Sequence, residues 1–245
     1  HKNSVQQDAD GDLKRTTRMA HFSPLGLILF AMSITFAAYD ILMSLDAHWF
    51  STIFGVYLFG GSVLSFHAFL ALIVIWLQAN GRLTRAVSDE HMQDIGKMMF
   101  AFTVFWAYIA FSQYMLYWYA NIPEETAWFL RRQENMLWGS WGWLLIIGRF
   151  LIPFLFIMSK HVKRSRPTLA VAAIWMLIMQ WADMYYLVMP QINGGEEFPF
   201  TMVDITIPIG FLGLFLIGLA LSLRGHSLIA EKDPRMPESL AFENA

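Results

Sequence analysis

Polar and apolar positions alternate along this chain on the scale of whole helices. Six long apolar runs are joined by short polar segments, at Phe22 to Ser44, Ile53 to Gln78, Met98 to Tyr119, Leu137 to Met158, Thr168 to Met189 and Val203 to Leu223. At a rise of about 1.5 Å per residue, each is long enough to cross a hydrocarbon core of ~30 Å. The pattern predicts an all-α, polytopic transmembrane helix bundle of six spans. It divides the chain into a polar connector over 1–21, a six-helix bundle over 22–223 and a polar tail over 224–245. The run from Met98 passes Gln113, Tyr114, Tyr117, Trp118 and Tyr119, amphiphilic side chains suited to headgroup depth, and continues directly into NIPEETAWFLRR.

Charge sorts the joints into two kinds. Lys14, Arg15 and Arg18 precede the first run; Arg82, Arg85 and Lys97 follow the second; Lys160, Lys163, Arg164 and Arg166 follow the fourth; Arg224 follows the last. The joints around Asp46 and His48, and from Asn193 to Glu197, carry no Lys or Arg. The positive-inside rule therefore predicts that both ends of this segment are cytoplasmic. Arg131 and Arg132 are the exception, and are expected on a short surface helix entered at Pro123 together with Glu124, Glu125 and Glu134. Trp49, Trp118, Trp128, Trp138 and Trp141 then fall at the outer boundary, as an aromatic belt. Ser88, followed by Asp89 and Glu90, is expected to cap a helix leading into the third span. Gly61 with Ser65, and Gly210 with Gly213, suit close helix contacts. Pro24, Pro153 and Pro208 are expected to start or kink helices, and the tail to lie along a partner or stay disordered.

Composition narrows the chemistry. Hydrophobic residues make up 56% against 15% charged, a ratio that belongs to membrane proteins. The net charge of −2 lacks the basic block that tracks nucleic acid, so no nucleic-acid partner is expected. Cysteine is absent, which removes disulfides, thiolate-bound iron–sulfur clusters and c-type haem attachment. His67 is the one histidine well inside an apolar run, so a bis-histidine haem has no second ligand here, and one of the 15 methionines would be needed instead. No cofactor or metal is expected on this chain itself.

The candidate functional groups are the polar side chains inside the runs. An ionisable group at the centre of a membrane helix costs ~2.5 to 3.5 kcal/mol on insertion scales, so each must face protein or water. Asp40, Gln113 and Asp183 lie near the ends of the first, third and fifth runs, in the weakly repeated contexts AYDILMSLD, SQYMLYWYANIP and WADMYYLVMP. Counting along the helices places them roughly 5 to 10 Å below the outer boundary, with His67 and Arg149 roughly 18 to 21 Å below it. Two readings remain open. In one, Asp40, His67, Gln113, Tyr114, Arg149 and Asp183, with Tyr39, Tyr185 and Ser112, form a proton half-channel. In the other, Arg149 pairs with Asp183 or Asp40 and sets helix register. The aromatic third span also suits a quinone ring.

Three stretches carry a family resemblance: HKNSVQQDADGD at the start, MSLDAHWFSTIFGVYLFGG over Met43–Gly61, and FSQYMLYWYANIPEETAWFLRR over Phe111–Arg132. They resemble the ActF family of NrfD-like membrane subunits of bacterial alternative complex III, a quinol:cytochrome c oxidoreductase, from His1 to about Pro190. Members of that family are longer, which implies that this chain is the C-terminal part of a larger subunit. The resemblance implies an integral subunit of the bacterial inner membrane that anchors its complex and takes part in proton movement. It also implies a sister NrfD-like subunit, an iron–sulfur protein, haem c subunits, small membrane subunits, lipids and a terminal oxidase as partners. Iron–sulfur clusters and haem c would sit on those partners, with menaquinol as the substrate of the complex. The alternatives are a chain that binds quinol itself, with Asp183 or His67 taking a hydroxyl proton, and an independent secondary transporter.

Overall fold

The computed structural model describes residues 2–192, 200–225 and 227–244. Eleven α-helices follow one another among these residues: α1 (Lys2–Asp10), α2 (Leu13–Ala37), α3 (Phe54–Ala79), α4 (Asp89–Ala120), α5 (Pro123–Gln133), α6 (Met136–Leu144), α7 (Ile152–Met158), α8 (Lys160–Arg164), α9 (Arg166–Ile192), α10 (Val203–Leu223) and α11 (Met236–Leu240). A π turn at Ala38–Leu42 and a 3-10 turn at Met43–Leu45 extend α2, and a π segment at Leu145–Leu151 joins α6 to α7. Six of the resulting paths are long and apolar enough to span a bilayer: Leu13–Leu45, α3, α4, Met136–Met158, α9 and α10. The chain is an all-α, multi-pass membrane protein.

Local chemistry explains most helix ends. Ser88 starts α4, its backbone N–H donating to His91 Nδ1 at 3.2 Å, with Asp89 and Glu90 in the first turn. That cap begins the helix well before the apolar run at Met98. Asn121 stops it in a left-handed conformation, and Pro123 opens α5 one residue after the N-cap Ile122. Asp204, in the first turn of α10, accepts from Thr201 N at 2.6 Å. Pro153 has no N–H to give to the carbonyl of Arg149, and just before it the helix widens, Ile152 N bonding Ile147 O five residues back.

The chain forms two compact units, His1–Gly26 with Phe198–Ala245, and Leu27–Glu197, a division that cuts across the apolar segment 22–223. In the first unit the connector is helical. It turns at Gly11, whose φ of +67° suits glycine, and Arg15 Nη2 lies 2.6 Å from Asp10. The tail is ordered against this segment: Lys232 Nζ donates to Ala9 O at 3.0 Å and Thr16 Oγ1 to Asp233 at 3.3 Å. No residue of α10 is buried. A Cβ on Gly210 or Gly213 would meet nothing within 4 Å among the described residues.

The second unit is a four-helix bundle in which α3 packs against α4 and α9, and the broken helix α6–α7 packs against α4 and α9. Small side chains, Ala68 and Ala71 on α3 with Ala172 and Ala173 on α9, bring those helices close. Two apolar layers result. One gathers Leu64, Val74, Met92, Met99, Ile157, Leu169 and Met176. The other gathers Trp49, Phe54, Leu58, Ile109, Trp128 and Leu187. Between them in register lie Gly61 of α3, Arg149 of the π segment and Met179 to Asp183 of α9. The joint from Asn193 to Glu197 lies outside the described residues.

Candidate functional site

The polar layer is built around Arg149, which is 2% exposed, and Asp183, which is fully buried. Arg149 Nη1 donates to Met179 O at 3.1 Å and lies 3.4 Å from Asp183 Oδ2. Its Nη2 donates to Gln180 Oε1 at 2.6 Å, and its guanidinium lies over the Trp106 ring, 4.3 Å from the centroid. The other carboxylate oxygen, Asp183 Oδ1, accepts a hydrogen bond from the Tyr57 hydroxyl. Gln180 and Asp183 are three residues apart, so α9 presents both on one face. Gly61 leaves the space for this arrangement: a Cβ there would stand 2.8 Å from Gln180 Oε1 and 2.9 Å from Arg149 Nη2.

Electrostatics explains why these groups travel together. A buried charge whose partner is lost is strongly destabilising, so guanidinium and carboxylate must each offset the other, with π face, carboxamide and carbonyl taking the remaining donors. Arg149 Nε is buried and makes no hydrogen bond. The arrangement can hold a carboxylate inside the bilayer with a phenol as its proton-bearing neighbour. Among the described residues no three His, Cys, Asp or Glu gather as a metal site would require.

Of the residues expected in the polar ladder, Arg149 and Asp183 meet. The others stand apart. Asp40 is exposed on the π turn after α2, away from the pair. Gln113 is buried, its Oε1 making no hydrogen bond. Tyr114 is 38% exposed and accepts from Gln133 Nε2 at 3.1 Å. His67 is half-buried; its Nδ1 donates to Val63 O of its own helix at 2.8 Å, and its ring lies along Phe102. Tyr39 donates to Thr52 O at 2.6 Å, in the joint rather than the bundle. Tyr57, Trp106 and Gln180 complete the site without having been expected in it. Gln180 carried a signal, its i, i+3 spacing to Asp183; Tyr57 and Trp106 carried none, being two aromatics among many.

A second buried cation lies at the opposite end from the basic joints. Arg132 was expected on the surface of α5 beside glutamates, yet it is 0% exposed. Its Nη1 donates to Trp128 O at 2.8 Å, Nη2 to Leu187 O at 2.9 Å and Nε to Tyr186 O at 3.2 Å. Pro190 explains the last of these: it has no N–H for the carbonyl four residues earlier, and Arg132 supplies the donor. Burial pushes the guanidinium down to about 9, still charged at neutral pH. It lies 3.3 Å over Trp128, which stacks on Trp49 with centroids 4.4 Å apart. Trp49, Trp128 and Trp138 are therefore interior residues, and of the five tryptophans expected in the belt only Trp118 and Trp141 escape burial, Trp118 at 68% exposed. Trp49 and Trp128 turn their faces to each other and to a cation rather than to lipid. Close by, Arg131 Nη1 lies 3.5 Å from Asp46, which accepts from Gln191 Nε2 at 3.0 Å.

These features define a multi-pass membrane bundle with a buried arginine–aspartate–tyrosine site. No family model matches the chain, and no curated protein matches it.

Proposed function

We propose that the chain is an integral subunit of a respiratory quinol:electron-acceptor oxidoreductase of the alternative complex III kind, and that it anchors that complex in the bacterial inner membrane. What supports the reading is the way two motif-bearing stretches meet. Trp49 of Met43–Gly61 stacks on Trp128 of Phe111–Arg132, the Tyr117 hydroxyl donates to Phe50 O, and Arg131 faces Asp46. Stretches distant in sequence thus build one aromatic, acidic end of the bundle, suited to holding a peripheral redox arm. On this reading the sister subunit, iron–sulfur protein and haem c subunits carry the electrons from menaquinol, and the basic joints face the cytoplasm. Purification from native membranes in mild detergent tests it. Haem c, iron–sulfur clusters and quinol:cytochrome c reductase activity are expected to travel with the chain; isolation without any redox partner overturns the proposal.

A second component rests on Asp183, a buried carboxylate within a span that receives a phenolic hydrogen bond on one oxygen and faces Arg149 with the other. In this reading it takes and releases protons beside Arg149. Asp183→Asn in the assembled complex is expected to slow coupled turnover and proton release severalfold; unchanged rates of both would leave only a structural pair.

A further inference from the structure

At the polar end of α2, Lys2, Asn3 and Gln6 of α1 join Arg15, Arg18 and Phe22 of α2 around an open pocket of about 500 Å³. Its walls are held in place. The turn at Gly11 folds α1 back beside α2, Gln7 bonds Thr16, and Arg15 Nη1 donates to Gln6 Oε1 at 2.6 Å. Arg15 is committed to Asp10, whose carboxyl it holds below its usual range. Lys2 and Arg18 form no ion pair with a carboxylate among the described residues; the pairs of this unit are Arg15–Asp10 and Arg235–Glu238. Two positive charges therefore border the pocket uncompensated, beside the carboxamide donors of Asn3 and Gln6.

Two cations and two amides suit the tetrahedral oxygens of a phosphate. What lies next to them selects its source. Phe22 and Leu25 follow Arg18 at i+4 and i+7, on the same helical face, and are 57% and 52% exposed where the first apolar run begins. A free phosphate gains nothing from that apolar track, whereas an acyl chain does. We propose that this pocket binds the headgroup phosphate of an anionic phospholipid, with its acyl chain lying along Phe22 and Leu25.

The test uses the full chain in its complex, titrated in detergent with short-chain phosphatidylglycerol, short-chain phosphatidylcholine and inorganic phosphate, with bound lipid counted by native mass spectrometry. Phosphatidylglycerol is expected to bind most tightly. Lys2→Gln and Arg18→Gln are each expected to weaken it about fivefold, and the pair about thirtyfold. Lys14→Gln makes the same change in net charge outside the pocket, and is expected to leave the affinity within about twofold. Inorganic phosphate binding as tightly as the lipid overturns the lipid assignment. Equal affinity for the two lipids, or an equal loss in Lys14→Gln, overturns the site.

Discussion

Asp183 and Arg149 show how far a side chain's surroundings decide its meaning. Each alone in the bilayer would be prohibitive; together, with Tyr57, Gln180 and Trp106, they form a layer between two apolar ones. Asp183→Leu is expected to destabilise the chain by ~3 to 5 kcal/mol, because the guanidinium is left uncompensated. The double change Arg149→Met with Asp183→Leu should recover much of that loss in denaturant titrations of the detergent-solubilised protein. A double variant as unstable as the single one would show that the pair is not what offsets either charge. Gly61→Ala probes the same layer from the other side: its methyl would enter the space of Gln180 Oε1 and Arg149 Nη2. A loss of about 1 to 3 kcal/mol is expected, the usual range for overpacking. Arg149 and Asp183 were legible in the sequence as expensive residues in greasy runs. Their direct pairing was one of two options, and Tyr57 was invisible, because a tyrosine in an aromatic-rich helix has no local mark of its partner.

Elements are shaped here by missing backbone donors. At Pro153 and Pro190 the lost N–H is answered in different ways. Before Pro153 the helix widens into the π segment that carries Arg149. In α9 the carbonyl left open by Pro190 accepts instead from Arg132 of α5, which ties a short surface helix to a span. A double-mutant cycle separates this tie from simple packing. Arg132→Leu is expected to cost about 2 to 4 kcal/mol, taking the guanidinium donor away from the carbonyls of Trp128, Tyr186 and Leu187. Adding Pro190→Ala should return part of the loss, since the substitution restores a backbone N–H that can bond Tyr186 O along the helix. Additive effects would exclude the coupling. The short helix α5 and its start at Pro123 could be read from the sequence, as could the Ser88 cap. The burial of Arg132 could not, because its neighbours in the chain are Arg131, Gln133 and Glu134 while its neighbours in space are Trp128, Tyr186 and Leu187.

For the whole molecule, the six spanning paths and the sorting of charge lead to one orientation to be tested. The absence of cysteine makes labelling clean. Glu124→Cys is expected to react with a membrane-impermeant maleimide in intact cells, and Arg85→Cys only after permeabilisation. The reverse pattern would invert the topology and move the aromatic end to the cytoplasm. The sequence by itself determined the class, the helices and their approximate limits, because the apolar length needed to cross a bilayer and the caps and prolines that end helices are local, additive signals. Only the tertiary structure decided which polar groups meet. It joined Arg149 to Asp183 and Tyr57, left Asp40 exposed, set His67 on its own helix, and turned outer tryptophans inward. Those outcomes depend on helix rotation and on the few ångströms opened by Gly61 and the π segment, which one-dimensional spacing does not contain.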